Sequence, residues 1–368
     1  MYNTALNTIT VSDAVLATQQ TEFPELYEAN AIEQRRYKVA TTDLGKLGLD
    51  AYAGNGVYVY TGTESHPHLA PLNPDYQFDN VDLDRMITVC LNREWERLPS
   101  APRRGLLIMG PKGTGKSTYL EQRLARQGIP AARMSWGPNM TSADSVYSRT
   151  LVGGDIVVEP GSLWQAAEGG YPAIIEEIDL AQPAELAALN DLIDRGRYTI
   201  PETGEVIVAK RGFCVFATCN SMFMEDRAGG YAGTRQQNIA VLDRFFKFVM
   251  EHASKEKEAE FIAKLYPEMD ADVVNGYARF MDMIHKAADP MSGFADGKGL
   301  THRLSLDFGR RNLIDWLDLT SSFEYLEKPG FNVPLYALRP VYTAVLTDAE
   351  QATVHALYDL VFGTAGSK

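Results

Sequence analysis

A glycine-rich segment at residues 110–117 carries the strongest chemical signal in the sequence. It reads Gly-Pro-Lys-Gly-Thr-Gly-Lys-Ser and fits the pattern G-x-x-x-x-G-K-[ST]. The glycines of such a segment let backbone N–H groups turn toward phosphate oxygens, and a following helix directs its positive end at them. Lys116 would reach the β- and γ-phosphates, and the Ser117 hydroxyl would ligate Mg²⁺. We therefore predict an ATP and Mg²⁺ site made by Gly110, Pro111, Lys112, Gly113, Thr114, Gly115, Lys116, Ser117 and Thr118.

A second candidate motif is an apolar run that ends in acidic residues, Pro-Ala-Ile-Ile-Glu-Glu-Ile-Asp at 172–179. In an ATPase with a phosphate-binding loop, we expect Glu177 to position the attacking water and Glu176 to help hold Mg²⁺ through a coordinated water. Aspartate is the usual residue at the position of Glu176. Glutamate has one methylene more than aspartate, and this length matters because Mg²⁺ tolerates little deviation from ligand distances of about 2.0–2.1 Å. A contact through a coordinated water would accommodate the longer side chain.

The elements that must position these residues alternate between apolar runs and helical periods. Strands are predicted at 106–109, 133–136, 173–178, 213–218 and 245–250, and helices at 81–95, 118–127 and 183–195. This alternation predicts an α/β fold, with a parallel sheet flanked by helices. After about Glu251 the pattern becomes helical, with a capping box at Thr347–Glu350.

The pattern divides the chain into three predicted parts. They are an N-terminal segment of uncertain fold (1–78), an α/β nucleotide-binding domain (79–253) and a smaller all-helical domain (254–368). The N-terminal segment contains helical periods at 10–20 and 23–36 and a short strand at 56–60.

Composition excludes several other classes of protein. The 368 residues carry a net charge of −13, which argues against general coating of nucleic acid. The three cysteines lack metal-ligand spacing and are too few for a disulfide framework, and the start lacks a signal-peptide pattern, so a cytoplasmic setting without a membrane is expected. His66 and His68 have no nearby partner for a metal site, and the histidines at 252, 285, 302 and 355 are scattered without metal or triad spacing.

Several further segments carry a family resemblance. The segments IPETGEVI (200–207), YAGTRQQN (231–238) followed by LDRF (242–245), and LYDLVFG (357–363) resemble the MoxR-type branch of the AAA+ ATPases. Within that branch they are most similar to the ATPase subunit of cobaltochelatase. The resemblance runs from about residue 100 to the C-terminus. It implies an AAA+ α/β domain followed by a helical lid.

The resemblance also implies roles for particular residues. Asn220 matches the first sensor, which orients water against the γ-phosphate, and Arg244 matches the arginine finger that acts on a neighbouring subunit's nucleotide. Arg311 matches the sensor arginine of the lid, with Arg310 and Arg303 as rivals. A finger acting in trans implies a homo-oligomeric ring, most simply a hexamer.

Partners and cargo follow from the same resemblance. Family members work with a partner that carries a von Willebrand A-type domain, and residues 141–161 match the insertion that would couple nucleotide state to it. The resemblance therefore implies an ATP-hydrolysing motor that remodels a partner protein, in the cobaltochelatase case for metal insertion. Two alternatives remain: a nucleotide-gated scaffold with weak hydrolysis, which Glu176 favours, and a nucleic-acid remodeller, which the acidic charge disfavours.

Overall fold

A computed structural model describes residues 38–43, 56–74, 76, 78–98, 101–153, 155–220, 239–289 and 303–363. The helical periods predicted at 10–20 and 23–36 lie outside these residues. The described residues form two compact units. The first contains residues 38–109, 116–220 and 239–249, and the second contains residues 110–115 and 250–363.

The centre of the first unit is a parallel sheet of five strands. In spatial order the sheet runs β11–β3–β10–β7–β4, and every pair of neighbours is parallel. The strands of this unit are β1 (Lys38–Asp43), β2 (Gly56–Thr61), β3 (Gly105–Met109), β4 (Ala132–Ser135), β5 (Tyr147–Val152), β6 (Asp155–Pro160), β7 (Ala173–Glu176), β8 (Arg197–Thr199), β9 (Val206–Val208), β10 (Val215–Cys219) and β11 (Phe245–Val249). Strands β3 and β10 are buried along their whole length, which explains their continuous apolar sequence.

Helices flank this sheet, and the predicted α/β class is confirmed. The helices of the first unit are α1 (Val81–Glu96), α2 (Lys116–Arg126), α3 (Ser142–Val146), α4 (Ser162–Gly169), α5 (Pro183–Ala188), α6 (Asn190–Arg195) and α7 (Ile239–Leu242). The helix predicted at 183–195 is interrupted at Leu189, whose N–H bonds to the carbonyls of Leu186 and Ala187 rather than continuing the α-helical pattern.

Three antiparallel hairpins, β1–β2, β5–β6 and β8–β9, accompany the central sheet. The segment 141–161, which matches the insertion expected to couple nucleotide state to a partner, forms helix α3 and the β5–β6 hairpin. Its apolar side chains Leu151 and Val152 are 72% and 56% exposed.

The second unit is helical among its described residues. It contains α8 (Lys255–Leu265), α9 (Ala271–Ala288), α10 (Arg310–Ser322), α11 (Val333–Val341) and α12 (Asp348–Phe362). Its core is a cluster of aromatic side chains in which Trp316 contacts the rings of Tyr277, Phe280 and Phe308. The predicted capping box is present, since the Thr347 hydroxyl accepts from the Glu350 N–H and the Glu350 carboxylate accepts from the Thr347 N–H.

The tryptophans and the cysteines have packing roles. All four tryptophans and all three cysteines are buried. Within the part of the chain that is described, the helices are too short or too polar to cross a lipid bilayer.

Candidate functional site

The glycine-rich loop connects the end of β3 to the start of α2. Gly110, Gly113 and Gly115 have φ angles of +149°, +84° and +88°, a region that side chains rarely occupy. The Thr114 hydroxyl donates to the Pro111 carbonyl at 3.1 Å and closes the turn. The glycines of the sequence motif therefore stand where the backbone conformation requires them.

One of these glycines is in close contact with a residue far away in the sequence. A Cβ on Gly113 would lie 2.7 Å from the Cα of Gly309, and a Cβ on Gly309 would lie 2.6 Å from the Cα of Gly113. Gly309 is the N-cap residue of α10, and both glycines belong to the second unit. Sequence reasoning missed Gly309, because a glycine before a helix is ordinary until its neighbour is known.

Helix α2 begins directly after the loop with Lys116 and Ser117. Lys116 is buried, Ser117 is half-buried, and Lys112 and Thr118 are exposed. The first turn of α2 contains no acidic residue, while Arg123 and Arg126 lie in its last turn. The positive end of this 11-residue helix is therefore not neutralised by its own side chains, which suits an anionic ligand.

The acidic motif and Asn220 meet at the carboxyl edge of the sheet. Strand β7 ends at Glu176 and its neighbour β10 ends at Cys219, so Glu177 and Asn220 both follow the ends of adjacent parallel strands. The Asn220 Nδ2 lies 3.5 Å from the Glu177 Oε1, and the Asn220 N–H donates to the Asp179 Oδ2 at 3.3 Å. Ligands of open parallel sheets bind at this edge.

Glu177 adopts an unusual backbone conformation. Its φ and ψ of 54° and 40° are left-handed, and among the described residues it is the one non-glycine residue with positive φ. This conformation ends β7 two residues earlier than the predicted end at 178 and starts a 3₁₀ turn at Ile178–Leu180. Such conformations cost about 1–3 kcal/mol and cluster at functional sites.

Glu176 forms an ion pair with Arg133 of the adjacent strand β4. The Arg133 Nε lies 2.9 Å from one Glu176 oxygen and its Nη2 lies 3.0 Å from the other, and Arg133 also pairs with Glu121. Burial lowers the pKa of Arg133, but its hydrogen bonds and charge interactions with the two glutamates outweigh burial, and the net shift is upward. Arg133 was missed in the sequence because an arginine in a strand shows nothing of its cross-strand partner.

Arg244, the predicted arginine finger, lies between α7 and β11 in the first unit. Its Nε is 2.9 Å from the Asp194 Oδ2, and its guanidinium also donates to the Ala240 carbonyl. The side chain is about one-quarter exposed. In this conformation Arg244 is paired within its own chain.

The three candidates for the lid arginine differ in what they contact. Arg310 donates to both oxygens of the buried Glu258 at 3.0 Å and lies over the Phe261 ring. Arg303 donates to the Ala288 carbonyl at 2.9 Å. Arg311, the second residue of α10, is exposed. A structural role in the second unit thus accounts for Arg310, whereas the exposed Arg311 suits a ligand.

The comparisons with known proteins agree with this geometry. Residues 105–236 match the family described as the AAA domain of the dynein-related subfamily. The chain carries an AAA domain. The aerobic cobaltochelatase subunit CobS of Sinorhizobium sp. is 26% identical over 309 residues, which cover 80% of this chain and 83% of that protein.

Two uncharacterised staphylococcal proteins are similar over a shorter region. The protein of Staphylococcus haemolyticus is 31% identical and that of Staphylococcus aureus strain USA300 is 30% identical, each over 148 residues. These matches cover 39% of this chain, which spans about half (53%) of each of the two relatives. The AAA domain and the similarity to CobS confirm the resemblance to MoxR-type AAA+ proteins that the sequence predicts.

The AAA domain contains most of the predicted site. Its matched residues include the glycine-rich loop, the two glutamates and Asn220, and they end before Arg244, Gly309 and Arg311. The structure brings Glu177 and Asn220 together in the first unit, and it brings Gly113 and Gly309 together in the second. The roles of the individual residues remain predictions.

Proposed function

We propose that this AAA protein hydrolyses ATP in a Mg²⁺-dependent reaction and uses the reaction to drive an oligomeric motor. The meeting of Glu177 and Asn220 at the carboxyl edge of the sheet, where the phosphate-binding loop also leaves β3, supports this proposal most strongly. A scaffold that only binds nucleotide does not need a strained carboxylate beside a polar sensor at that edge.

The residues of the loop fit a nucleotide phosphate with its metal ion. The left-handed glycines would turn their N–H groups toward the phosphates, and a Cβ on Gly115 would meet nothing within 4 Å. Lys116 would balance phosphate charge, and Ser117 and Glu176 would hold Mg²⁺, directly and through a water respectively. When bound, Mg²⁺ would offset negative charge on the phosphate oxygens.

Glu177 and Asn220 would act on the attacking water. The Glu177 carboxylate would accept a hydrogen bond from the water and take its proton as the oxygen attacks the γ-phosphorus, which yields ADP and inorganic phosphate. Asn220 would hold the Glu177 carboxylate and the water in line, since its Nδ2 already lies 3.5 Å from that carboxylate.

Arg244 and Arg311 would complete the site. Arg244 would leave Asp194 and reach the nucleotide of a neighbouring subunit, which requires a homo-oligomeric ring, most simply a hexamer. Arg311 would contact the phosphates from the lid. From the family resemblance we infer that the motor acts on a partner protein of the von Willebrand A type. The similarity to CobS, a cobaltochelatase subunit, supports metal insertion as one use. We place this activity in the cytoplasm.

Phosphate release by the wild type and by three variants tests the proposal. Glu177→Gln should still bind ATP but release phosphate about 10²–10⁴ times more slowly, because it loses the proton acceptor. Arg244→Ala should lose about 10³–10⁵-fold in the assembled ring. Arg195→Ala, at an exposed arginine one residue from Asp194, is the matched control and should behave as wild type. Equal phosphate release from all four proteins would refute hydrolysis by this site.

The ion pair between Arg133 and Glu176 favours a second candidate function, a nucleotide-gated scaffold with weak turnover. While Arg133 holds both oxygens of Glu176, that carboxylate is engaged by a cation other than Mg²⁺. A scaffold would change its oligomeric state on binding ATP, as measured by light scattering, and Glu177→Gln would leave both this change and the slow phosphate release unaltered.

A further inference from the structure

Two histidines and an aspartate that the sequence scatters come together in the second unit. His252 lies in the segment before α8, His285 in the last turn of α9, and Asp307 in the segment before α10. The His252 Nε2 is 2.7 Å from the Asp307 Oδ2, and the His285 Nε2 is 3.7 Å from the Asp307 Oδ1. The two imidazole rings stack with centroids 3.7 Å apart and planes 17° apart.

We propose that His252, His285 and Asp307 form a binding site for one divalent transition-metal ion of the Zn²⁺ class. A ligand atom from each residue lies within 4.8 Å of the other two. Tetrahedral Zn²⁺ with ligands at about 2.0–2.2 Å places neighbouring ligand atoms about 3.3 Å apart. The His252 and His285 nitrogens lie 2.7 and 3.7 Å from two different oxygens of Asp307, close to this spacing. For one ion to bind all three residues, the carboxylate and the nearly parallel rings must rotate so that their ligand atoms converge.

The choice of ligands selects the kind of metal. Two imidazole nitrogens and one carboxylate suit Zn²⁺ and similar first-row ions, whereas Mg²⁺ and Ca²⁺ prefer oxygen ligands only. The site has one negative charge, which a divalent cation would more than neutralise. Three protein ligands leave a fourth position for water.

The surroundings hold the three ligands in place. Their side chains are 12–22% exposed, so they are shielded but reachable from solvent. The Asp307 Oδ1 accepts from the Phe308 N–H at 2.8 Å, which fixes the carboxylate. Bonds of this kind orient metal ligands in proteins.

Metal binding must exchange two hydrogen bonds, and the first joins the His252 Nε2 to the Asp307 Oδ2 at 2.7 Å. The His285 Nε2 lies 2.7 Å from the Phe308 carbonyl, which requires a proton on that nitrogen. To ligate, the Nε2 must give up this proton to the solvent or carry it on Nδ1 instead, and the carbonyl must find another donor. Because Phe308 directly precedes Gly309, the residue in contact with Gly113, this exchange occurs next to the phosphate-binding loop.

Titration of the full-length protein with Co²⁺ alone tests the proposal. Co²⁺ takes the same ligands as Zn²⁺ and absorbs visible light when bound to nitrogen and oxygen ligands. After EDTA treatment and without nucleotide, we expect about one Co²⁺ per chain, a visible band that Zn²⁺ abolishes, and a higher Tm with Zn²⁺. His252→Gln and Asp307→Asn should weaken Co²⁺ binding by about tenfold or more.

His355→Gln is the matched control, because His355 is an exposed histidine on α12 of the same unit. It should bind Co²⁺ as wild type does. Circular dichroism checks that each variant is folded, and the wild-type stoichiometry does not depend on any variant. Absence of a saturable visible band in the wild type, or a band that persists in His252→Gln and Asp307→Asn, would overturn the proposal and leave a hydrogen-bond network.

Discussion

The contact between Gly113 and Gly309 predicts how three single substitutions affect ATP binding. Gly115 has a left-handed backbone and open space, Gly309 has an ordinary φ of −87° and a close neighbour, and Gly113 has both constraints. Alanine at these three positions therefore separates the cost of backbone conformation from the cost of steric overlap.

The magnitudes follow from these two constraints. Alanine at 115 must adopt a left-handed backbone at about 1–2 kcal/mol, which is roughly 5- to 30-fold in affinity. Alanine at 309 places its Cβ 2.6 Å from the Gly113 Cα, about 0.8 Å short of ordinary contact. Overpacking of this size costs about 1–3 kcal/mol, or roughly 5- to 150-fold. Gly113→Ala combines both effects and should bind ATP weakest.

The free-energy cost of each substitution should appear as weaker ATP binding, because each substitution favours loop conformations that cannot hold phosphate. The apparent affinity equals the intrinsic affinity multiplied by the fraction of molecules whose loop can bind phosphate. Titration with a fluorescent ATP analogue and Mg²⁺ gives the Kd, and thermal unfolding confirms that each variant is folded. The reasoning is refuted if Gly309→Ala binds within about twofold of wild type while Gly113→Ala is no weaker than Gly115→Ala.

Three further predictions concern single side chains. Arg133→Ala removes the cation that competes for Glu176. The Mg²⁺ concentration for half-maximal phosphate release should therefore fall by up to about fivefold, which corresponds to the free energy of a partly exposed ion pair. An unchanged or higher Mg²⁺ requirement would show that Arg133 positions Glu176 instead. Burial raises the pKa of the Glu350 carboxyl. Hydrogen bonds from Ser305 and from the N-cap residue Thr347 outweigh burial and hold that pKa at about 2. The stabilisation is therefore complete above about pH 4.5 and is lost progressively as the pH falls toward 2. Urea unfolding should show Glu350→Gln about 1–2 kcal/mol less stable than wild type at neutral pH, with a difference that shrinks steadily as the pH is lowered from 4.5 toward 2. A difference that does not shrink with pH would contradict this. Arg311→Ala should lower phosphate release by about tenfold or more while Arg303→Ala stays near wild type, and the reverse order in the same assay would move the lid role to Arg303.

Local pattern was sufficient to predict the elements of the sheet and the loop motif. Buried strands such as β3 and β10 are continuous apolar runs, and the spacing of the glycines before Lys116 specifies a phosphate-binding turn without reference to the rest of the chain. The end of β7 was predicted less well. The backbone of Glu177 turns left-handed, and neither the side chain nor its neighbours in sequence require that conformation.

The residues that were missed all depend on contacts between distant parts of the chain. Arg133 on β4 pairs with Glu176 on the adjacent strand β7, and Gly309 contacts Gly113 only because of the fold of the second unit. His252 and His285 show no metal spacing in the sequence, because a helix and two connecting segments bring them to Asp307. The hydrophobic periodicity of a segment predicts which face of that helix or strand is buried. It does not predict which side chains of other elements that face will contact.

Residues 307–311 connect several of these features within one short segment. Asp307 bonds to His252, and the Phe308 ring packs edge-on against Tyr342 with centroids 5.0 Å apart. Gly309 touches Gly113, the buried Glu258 binds Arg310, and Arg311 is exposed beside them. Since close-packed interiors transmit displacement rather than absorb it, Gly309 cannot move with the loop unless Phe308 and Arg310 also shift. A displacement of Gly113 would therefore press on the backbone segment that also carries the candidate metal ligand and the candidate lid arginine.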